Sequence, residues 1–352
     1  MSNNIKDVAE RAGVSISTVS NVITGKRGVS PELTHRVNSA ISELNYKVNP
    51  IASSLKSNHS RMLGVIITSF KSVFIGQLLC GIQETCIKGG YSVCVYESDG
   101  NLDQERRCLD ILINSMADGI IILSKADSDC PEDAEYINHL KSLRHNEKKI
   151  PIVSLEKEFS GYNIDCIIAN NRNAGYTAVR HLIELGHKKI GLITGPMDME
   201  MCRSRMQGYE DALSEAGITP NSNWIQTGDF SPIRGYTCMR NLLNETDVTA
   251  VFAMNDQTGI GAIKAIKDSG LLVPNDIAVM GFDNIFPGTL ISPSLSTINI
   301  PKFQIGVLAA QRLIDILEDK SFDHQTTVVN HQLIIRKSTV IDSDDSWDLF
   351  GW

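Results

Sequence analysis

The sequence predicts a small all-α module at the amino end and a larger α/β body behind it. Within positions 1–48 apolar residues recur at helical spacing, whereas from residue 63 onward short apolar runs rich in β-branched residues alternate with amphipathic helical stretches. The net charge changes sign near the same place. Residues 1–60 hold seven basic and four acidic side chains, a net charge of +3; since the 352-residue chain has a net charge of -8, the residues after 60 carry -11. Such a contrast between segments points to a nucleic-acid partner for the small module, although the acidic total alone argues against one.

The composition and the motifs exclude several classes of protein. With 42% hydrophobic and 21% charged residues, the chain is typical of a folded protein rather than a fibrous or disordered one. Its eight cysteines form no CxxC pair and no stretch approaches eighteen apolar residues, so we expect no zinc site, no secretion signal, no membrane span and a cytoplasmic location. The sequence contains no phosphate-binding loop, GxSxG elbow or HExxH motif, which predicts a protein without enzymatic activity, metal or cofactor.

Two short helices open the chain. The first is predicted to begin after the N-cap Asn4 and to end near Gly13, and Ser15 caps the second. One stripe of the second helix is apolar and faces a small core, while the opposite face carries short side chains with almost no charge, namely Ile16, Ser17, Ser20 and Asn21. This pattern predicts a helix-turn-helix whose second helix can enter a major groove.

A third helix, predicted from the Ser30-Pro31 cap to Leu44, completes the core of the module. Between the second and third helices, residues 25–28 (GKRG) form a basic turn in which Lys26 can meet DNA phosphates. The alternative interpretation is a helical hairpin that serves only to cap an oligomer.

The stretches 5–9 (IKDVA), 12–15 (AGVS) and 18–20 (TVS) resemble the headpiece signature of the LacI/GalR family of bacterial transcription regulators, and the similarity extends over nearly the whole chain. The resemblance implies a DNA-binding headpiece at 1–48 in which three side chains read bases and others contact phosphates. The base-reading positions are those of Ile16, Ser17 and Asn21. The other expected headpiece contacts are Asn4, Ser15, Thr18, Ser20 and Lys26. Family members often carry arginine where this chain has Asn21, and asparagine prefers adenine.

Residues 49–60 are predicted to be a hinge helix and linker. The segment 49–56 (NPIASSLK) is too short to be a stable helix alone in water. The resemblance implies that it folds on DNA, pairs with its dimer mate and places Leu55 in the minor groove, where an apolar wedge kinks the duplex. The other expected hinge contacts are Asn49, Ala52 and Lys56.

The hinge departs from the family pattern in two places. Val48 stands where the family usually has a proline, and Ser53 replaces a common arginine, so we expect weaker backbone contacts. In the alternative interpretation, Leu55 only packs between headpiece and body.

The body contains eight apolar runs that predict strands, at 63–68, 91–96, 119–123, 150–155, 166–169, 189–195, 251–255 and 277–283. Runs of this kind, separated by amphipathic helices, are typical of doubly wound parallel sheets, and eight strands favour two α/β subdomains. The resemblance implies a periplasmic-binding-protein-like body at 61–340 that closes on a ligand. The predicted subdomains are 61–162 with 299–325 and 163–298 with 326–340, with crossovers near Tyr162, Asn299 and Thr326. An acidic tail follows at 341–352; it lacks leucine heptads, and we expect it to be disordered, with partner binding as the alternative.

Ligands of such sheets bind at the carboxyl ends of the strands. By the resemblance, Arg205 binds effector hydroxyls or a carboxylate, and Asp283 is the aspartate of the pocket. Asn255 resembles a ligand contact and Asp256 a helix cap. The predicted effector site consists of Phe74, Glu156, Arg205, Phe230, Asn255 and Asp283. The alternatives are a turn role for Asp283, a core role for Phe230 and a solvated surface role for Glu156.

The effector class follows from the same residues. Arginine and aspartate that bridge vicinal hydroxyls beside aromatic rings describe a sugar or glycoside site. Met199, Met201 and Val73 replace groups that purine-responsive members use, which disfavours a purine. A nucleoside or purine effector remains the alternative.

Together these features predict a sequence-specific repressor that binds a pseudo-palindromic DNA operator as a homodimer and is switched by a small molecule. A solute-binding protein would share the body, but it would carry a signal peptide and lack residues 1–60.

Overall fold

A computed structural model of the protein describes residues 4–23, 28–46, 59–145, 147–159, 161–320 and 323–343. The chain forms two compact units that divide between Ser60 and Arg61. Several predicted features lie outside the described residues: the basic turn with Lys26, the tail from residue 344 onward, and the hinge helix with Asn49, Ala52, Leu55 and Lys56. Within the described ranges, no helix has the length and hydropathy needed to cross a membrane.

The first unit contains the three predicted helices, α1 (Ile5–Ala12), α2 (Ile16–Ile23) and α3 (Pro31–Glu43). The Asn4 side chain accepts hydrogen bonds from the backbone N–H groups of Lys6 (2.8 Å) and Asp7 (3.3 Å), and the Asp7 carboxylate accepts from the Asn4 N–H at 2.7 Å. This reciprocal cap satisfies N–H groups that a helix start leaves open. The buried core of the unit is formed by Val8, Ala9, Ala12, Val19, Val37 and Ala40.

A side chain of α3 holds the turn between α1 and α2 in place. The guanidinium of Arg36 donates to the backbone carbonyls of Ala12 (2.6 Å) and Gly13 (3.3 Å) at the end of α1. Gly13 has a φ of +62°, and a Cβ there would lie 2.7 Å from Arg36 Nη2, so glycine suits the position on both counts. The turn therefore fixes the direction in which α2 leaves α1.

The body is built on two six-stranded sheets. The strands of the first sheet are β1 (Met62–Ile67), β2 (Ser92–Glu97), β3 (Gly119–Ile122), β6 (Ile152–Leu155), β7 (Asp165–Ala169) and β13 (Thr326–Val329). A small hairpin, β4 (Arg144–His145) with β5 (Lys148–Lys149), precedes β6. The strands of the second sheet are β8 (Ile190–Thr194), β9 (Ile225–Thr227), β10 (Ala250–Ala253), β11 (Ala278–Asp283), β12 (Ser296–Asn299) and β14 (Gln332–Ile334). The first sheet has the order β13-β7-β6-β3-β1-β2 and is parallel throughout; the second has the order β14-β12-β11-β10-β8-β9, with only β14 antiparallel.

Helices cover the sheets, as short parallel strands require. In the body these helices are α4 (Val73–Lys88), α5 (Leu102–Asn114), α6 (Ala134–Lys141), α7 (Asn171–Glu184), α8 (Glu200–Glu215), α9 (Pro232–Glu245), α10 (Asp256–Asp268), α11 (Pro287–Leu290) and α12 (Lys302–Leu317). Three helix pairs pack closely: α4 with α12, α7 with α8, and α9 with α10.

All eight predicted strands are present, but two of the predicted crossovers are wrong. The run at 165–169 pairs with β6 and so belongs to the first sheet, which moves the first crossover from Tyr162 to Asn170. The strand Thr326–Val329 also pairs in the first sheet, so the third crossover falls at residues 330–331 rather than near Thr326. The apolar pattern of a strand does not show which sheet the strand joins. Its hydrogen-bonded pairing with a neighbouring strand does. The second crossover lies at residues 300–301, between β12 and α12.

Candidate DNA-binding surface and effector cleft

The outer face of α2 presents small, uncharged side chains to solvent. Ile16 is 42% exposed, Ser17 and Asn21 are also exposed, and Val19 on the opposite side is fully buried. Thr18 and Ser20, the predicted phosphate contacts, lie between these faces and are half-buried. Such a surface can come close to the edges of bases in a major groove.

Ser15 organises the start of this helix. Its Oγ accepts the backbone N–H of Thr18 at 3.1 Å and lies 2.6 Å from the hydroxyl of Ser17. The second predicted contact, Asn4, likewise uses its side-chain oxygen as a cap. The structure thus brings the predicted headpiece residues of the described ranges to the ends and outer face of α1 and α2.

In the body, Arg205 lies at the carboxyl ends of the second-sheet strands. Its Nη1 donates to the Met254 carbonyl just after β10 (2.6 Å), its Nε donates to Asn171 Oδ1 (2.9 Å), and the guanidinium lies 3.6 Å from the ring centroid of Phe282. Although the residue is only 3% exposed, these two acceptors, in the part of the chain that the structure describes, leave others of its five N–H groups able to donate. The rest of the guanidinium is available to a ligand.

Helices α7 and α8 approach so closely that Arg205 meets Asn171. A Cβ on Gly175 of α7 would lie 2.6 Å from the Arg205 carbonyl, and one on Gly208 of α8 would lie 2.1 Å from the Arg172 carbonyl. Only residues without a side chain permit this contact. The glycines therefore set the position of the arginine.

Glu156 follows β6 of the first sheet and faces the same cleft. Burial raises the pKa of its carboxyl to about 7; Arg205 lowers the pKa and Asp283 raises it, and a hydrogen bond from Asn171 lowers it. Since Arg205 and Asp283 belong to the second subdomain, their influence places the carboxyl between the two sheets. Within the described ranges, Glu156 Oε1 is a buried oxygen without a hydrogen-bond partner.

Asp283, the last residue of β11, is a second buried carboxyl. Burial raises its pKa to about 6, while Arg205 and Lys302 lower it. Lys302, 3% exposed at the start of α12, donates from Nζ to the backbone carbonyls of Asp283, Asn284 (3.3 Å) and Ile300 (3.2 Å). The lysine therefore ties this end of β11 to the second crossover.

Asn255, rather than Asp256, caps the helix α10. Asn255 Oδ1 accepts the Thr258 N–H (2.9 Å) and its amide donates to the Phe230 carbonyl (3.1 Å), so Asn255 is the helix cap and both ends of its side chain have protein partners. Asp256 instead accepts from the Ile285 N–H (2.8 Å) and the Thr297 hydroxyl (2.6 Å). The prediction that Asp256 caps the helix is wrong, because its carboxylate turns inward to this buried network.

The predicted aromatic residues are half-buried against the main core. Phe74 lies in the first turn of α4, and Phe230 precedes the N-cap of α9. Backbone strain marks three of the predicted residues: Glu156 has a φ of +58°, Phe230 of +68° and Asp283 of +103°. Residues other than glycine adopt such values rarely, and their concentration at a site is typical of a ligand-binding region.

Asn171 and Lys302 link the predicted residues to the crossovers and were not among the residues predicted from sequence. Nor were the ion pairs on the rim of the cleft. Lys125 pairs with Asp198, and Arg203 with Asp127 (2.6 Å), each pair joining a loop after β3 to the segment after β8. Asn171 and Lys302 stand at helix starts, where polar residues resemble ordinary caps, and ion pairs between distant loops leave no local pattern in the sequence. No cluster of potential metal ligands occurs in the part of the chain that the structure describes.

The pH dependence of stability tests the site directly. Because Glu156 has a higher pKa in the folded chain than its usual 4.5, the folded state holds the proton more tightly, and its contribution to stability falls as pH rises from about 4.5 to 7. Glu156→Gln removes this loss, so relative to the parent the variant should gain up to about 3 kcal/mol of unfolding free energy between pH 5 and 8. Urea denaturation at several pH values measures it; a difference that does not change with pH contradicts the buried environment.

Comparison with known proteins gives a consistent result. Residues 4–49 match the model of bacterial regulatory proteins of the lacI family, and residues 179–339 match a periplasmic binding protein-like domain. The chain is 38% identical over 336 residues to the HTH-type transcriptional repressor PurR of Proteus mirabilis (strain HI4320), which covers 95% of this chain and 96% of that protein. The Lac repressor dimer bound to operator and the anti-inducer ONPF is similar in structure, with a TM-score of 0.86, 28% identity, and coverage of 96% of this chain and 99% of that one. A complex of the regulator CelR with cellobiose has a TM-score of 0.71 at 27% identity, with coverage of 96% and 99%.

Proposed function

Because this chain belongs to the LacI family of bacterial regulatory proteins, we propose that α2 reads an operator as part of a homodimer and that the cleft of the body holds the effector. The chain is a DNA-binding repressor with an effector-binding body. Dimerisation fits a pseudo-palindromic operator, since two copies of α2 then meet two half-sites. A DNA operator also implies that the protein acts in the cytoplasm.

The proposal that α2 reads DNA rests on the outer face of this helix. Ile16, Ser17 and Asn21 are exposed on one short helix whose buried side is fixed to the headpiece core. We assign base reading to these three residues, phosphate contacts to Thr18, Ser20 and Lys26, and the central minor-groove contact to Leu55.

Replacing Asn21 by alanine should reduce affinity for the selected operator by about 10- to 100-fold, because a bidentate base contact contributes about 1–3 kcal/mol of discrimination. Affinity for random DNA should not change. Asn38→Ala, at an exposed asparagine of α3, is the matched control. Operator selection from random duplexes, followed by titration, measures the affinities for operator and for random DNA. If the two variants lose equal affinity for the operator, or if Asn21→Ala loses equal affinity for operator and random DNA, Asn21 does not read a base.

For the effector we propose a sugar or glycoside. Arg205, Glu156 and Asp283 supply donors and acceptors for vicinal hydroxyls, and Phe74 and Phe230 supply ring faces. The similarity to the CelR–cellobiose complex supports this class. Similarity to a PurR repressor at 38% identity favours the second candidate, a purine or nucleoside. Met199 and Met201, which pack half-buried against the main core, are apolar and argue against it.

A thermal-shift screen of the full chain separates the two classes. A ligand at 100 times its dissociation constant should stabilise the folded protein by about 2.7 kcal/mol, which raises the melting temperature by several degrees. The panel contains monosaccharides, β-glycosides, nucleosides and purine bases. A response confined to bases and nucleosides would reject the sugar proposal and retain the second candidate.

A further inference from the structure

The hairpin formed by β4 and β5 is a basic segment in an acidic body. Residues 141–149 hold four basic side chains and one acidic one, a net charge of +3, whereas the residues after 60 together carry -11. The basic residues are Lys141, Arg144, Lys148 and Lys149, and the acidic one is Glu147. This short segment therefore carries the same net charge as the whole of residues 1–60.

Two of these cations are directly opposite each other in the hairpin. The antiparallel register pairs Arg144 with Lys149, and both residues are exposed. Like charges at directly opposite positions of two strands destabilise the pairing. Among the described residues, neither cation has a carboxylate within ion-pair distance, and Arg144 Nη1 donates instead to the backbone carbonyl of Glu147 at 2.9 Å. An anion bound by both side chains would remove the repulsion between them.

The base of the hairpin is anchored in the body. Leu143 and Ile150, which flank the two strands, are 2% and 3% exposed, and the Ile150 N–H donates to the Leu143 carbonyl at 2.9 Å. Lys148 Nζ lies 3.3 Å from the buried carboxylate of Asp118. The two opposed cations therefore stand on a fixed part of the surface.

Asp118 also links the hairpin to the first residue of the body. Its Oδ2 accepts the backbone N–H of Arg61 at 2.8 Å, while its Oδ1 pairs with Lys148. Asp118 directly precedes β3 and Arg61 directly precedes β1, so the hairpin lies at the amino ends of the first-sheet strands. The effector cleft is at the carboxyl ends. The chain enters the body from the headpiece at Arg61, and DNA held by the headpiece is tethered to this end of the body.

We propose that Arg144 and Lys149 bind backbone phosphates of the DNA that flanks the operator. Arginine and lysine are the side chains that most often neutralise DNA phosphates, and the headpiece alone supplies few of them. Phosphates carry no sequence information, so the contact adds affinity without changing which operator is chosen. The inference rests on the proposed function, since the headpieces must first hold the operator.

Two duplexes test the proposal in titrations of the full chain at several salt concentrations. One is the selected palindrome alone, and the other is the same palindrome extended on each side by about two helical turns of unrelated sequence. The parent should bind the extended duplex at least 5-fold more tightly at low salt. Its plot of log affinity against log salt should be steeper by about 2 to 4, since each phosphate contact adds about 0.9 and a dimer offers four such side chains. Equal affinities and slopes for the two duplexes overturn the proposal.

Double variants locate the contact. Arg144→Gln with Lys149→Gln should abolish the difference between the duplexes and leave the affinity for the palindrome alone unchanged. Arg144→Lys with Lys149→Arg keeps both charges and should keep the difference. The matched control, Lys188→Gln with Lys189→Gln, removes two exposed charges before β8, at the amino end of the other sheet, and should also keep it. A difference that survives in the first variant, or that disappears equally in the control, overturns the proposal.

Two further measurements keep the outcomes separate. Urea denaturation of the Arg144→Gln, Lys149→Gln protein should show no loss of stability, because the substitutions remove a repulsion between exposed side chains. A parent that selects no palindrome from random duplexes rejects the proposed function. A parent that binds its palindrome selectively but gains no affinity from the flanking DNA rejects only this inference.

Discussion

Arg205→Met should abolish detectable effector binding, with a loss of at least 100-fold, and should leave the operator affinity of the ligand-free protein unchanged. The guanidinium lowers the pKa of the Glu156 and Asp283 carboxyls, and the hydrogen bonds that it donates to Met254 and Asn171 fix its direction. Methionine fills similar space but supplies neither charge nor donor. Titration calorimetry with the effector found in the screen, together with operator titration, measures the two affinities.

The matched control is Arg172→Met on the neighbouring helix α7, where the arginine pairs with Asp211 in an exposed position. This variant should bind effector normally. Because removal of one member of a buried charge cluster can destabilise a protein by about 3–5 kcal/mol, Arg205→Lys provides a second variant that retains the charge and loses the planar fork. Normal effector response in a folded Arg205→Met protein would remove Arg205 from the site.

Gly208→Ala should lower the free energy of unfolding by about 3 kcal/mol. The new Cβ would lie 2.1 Å from the Arg172 carbonyl and 2.5 Å from the Tyr176 nitrogen, both backbone atoms, so helices α7 and α8 must separate. Arg205 is on the same helix as Gly208, so the shift should also weaken effector binding.

Gly76→Ala is the control for this prediction. It lies inside α4, with no atom within 4 Å of the position of its Cβ, and alanine is favoured over glycine in a helix by about 0.5–1 kcal/mol. Urea denaturation should therefore show a small gain for Gly76→Ala and a large loss for Gly208→Ala. A Gly208→Ala protein within 0.5 kcal/mol of the parent would contradict the close packing of the two helices, since errors of about that size are typical.

The headpiece could be predicted from sequence because its signals are local. Asn4, Gly13, Ser15 and Ser30 are caps or turn residues that act within a few positions of themselves. The body depends on pairing between distant strands. The run 165–169 has the same apolar pattern whichever sheet it joins, and β13 and β14 are separated by only two residues, so the crossovers could not be read from pattern.

The residues of the site show the same difference between local signals and contacts made by distant segments. Arg205, Glu156 and Asp283 follow strands or lie on a helix that faces them, and the structure brings their charges together. Asn171 and Lys302 reach the site only because α7 and α12 begin at crossovers, which no local pattern specifies. Asn255 was expected to contact ligand, but a polar residue between a strand and a helix is equally suited to capping.

The central claim is that a molecule bound in the cleft of the body changes the affinity of the headpiece for its operator. Its most direct test is titration of the full chain against the selected palindrome, with and without saturating effector, for the parent and for Arg205→Met. The account predicts at least a 10-fold change in operator affinity for the parent and none for the variant. An effector that binds the parent body tightly yet leaves its operator affinity unchanged would contradict it.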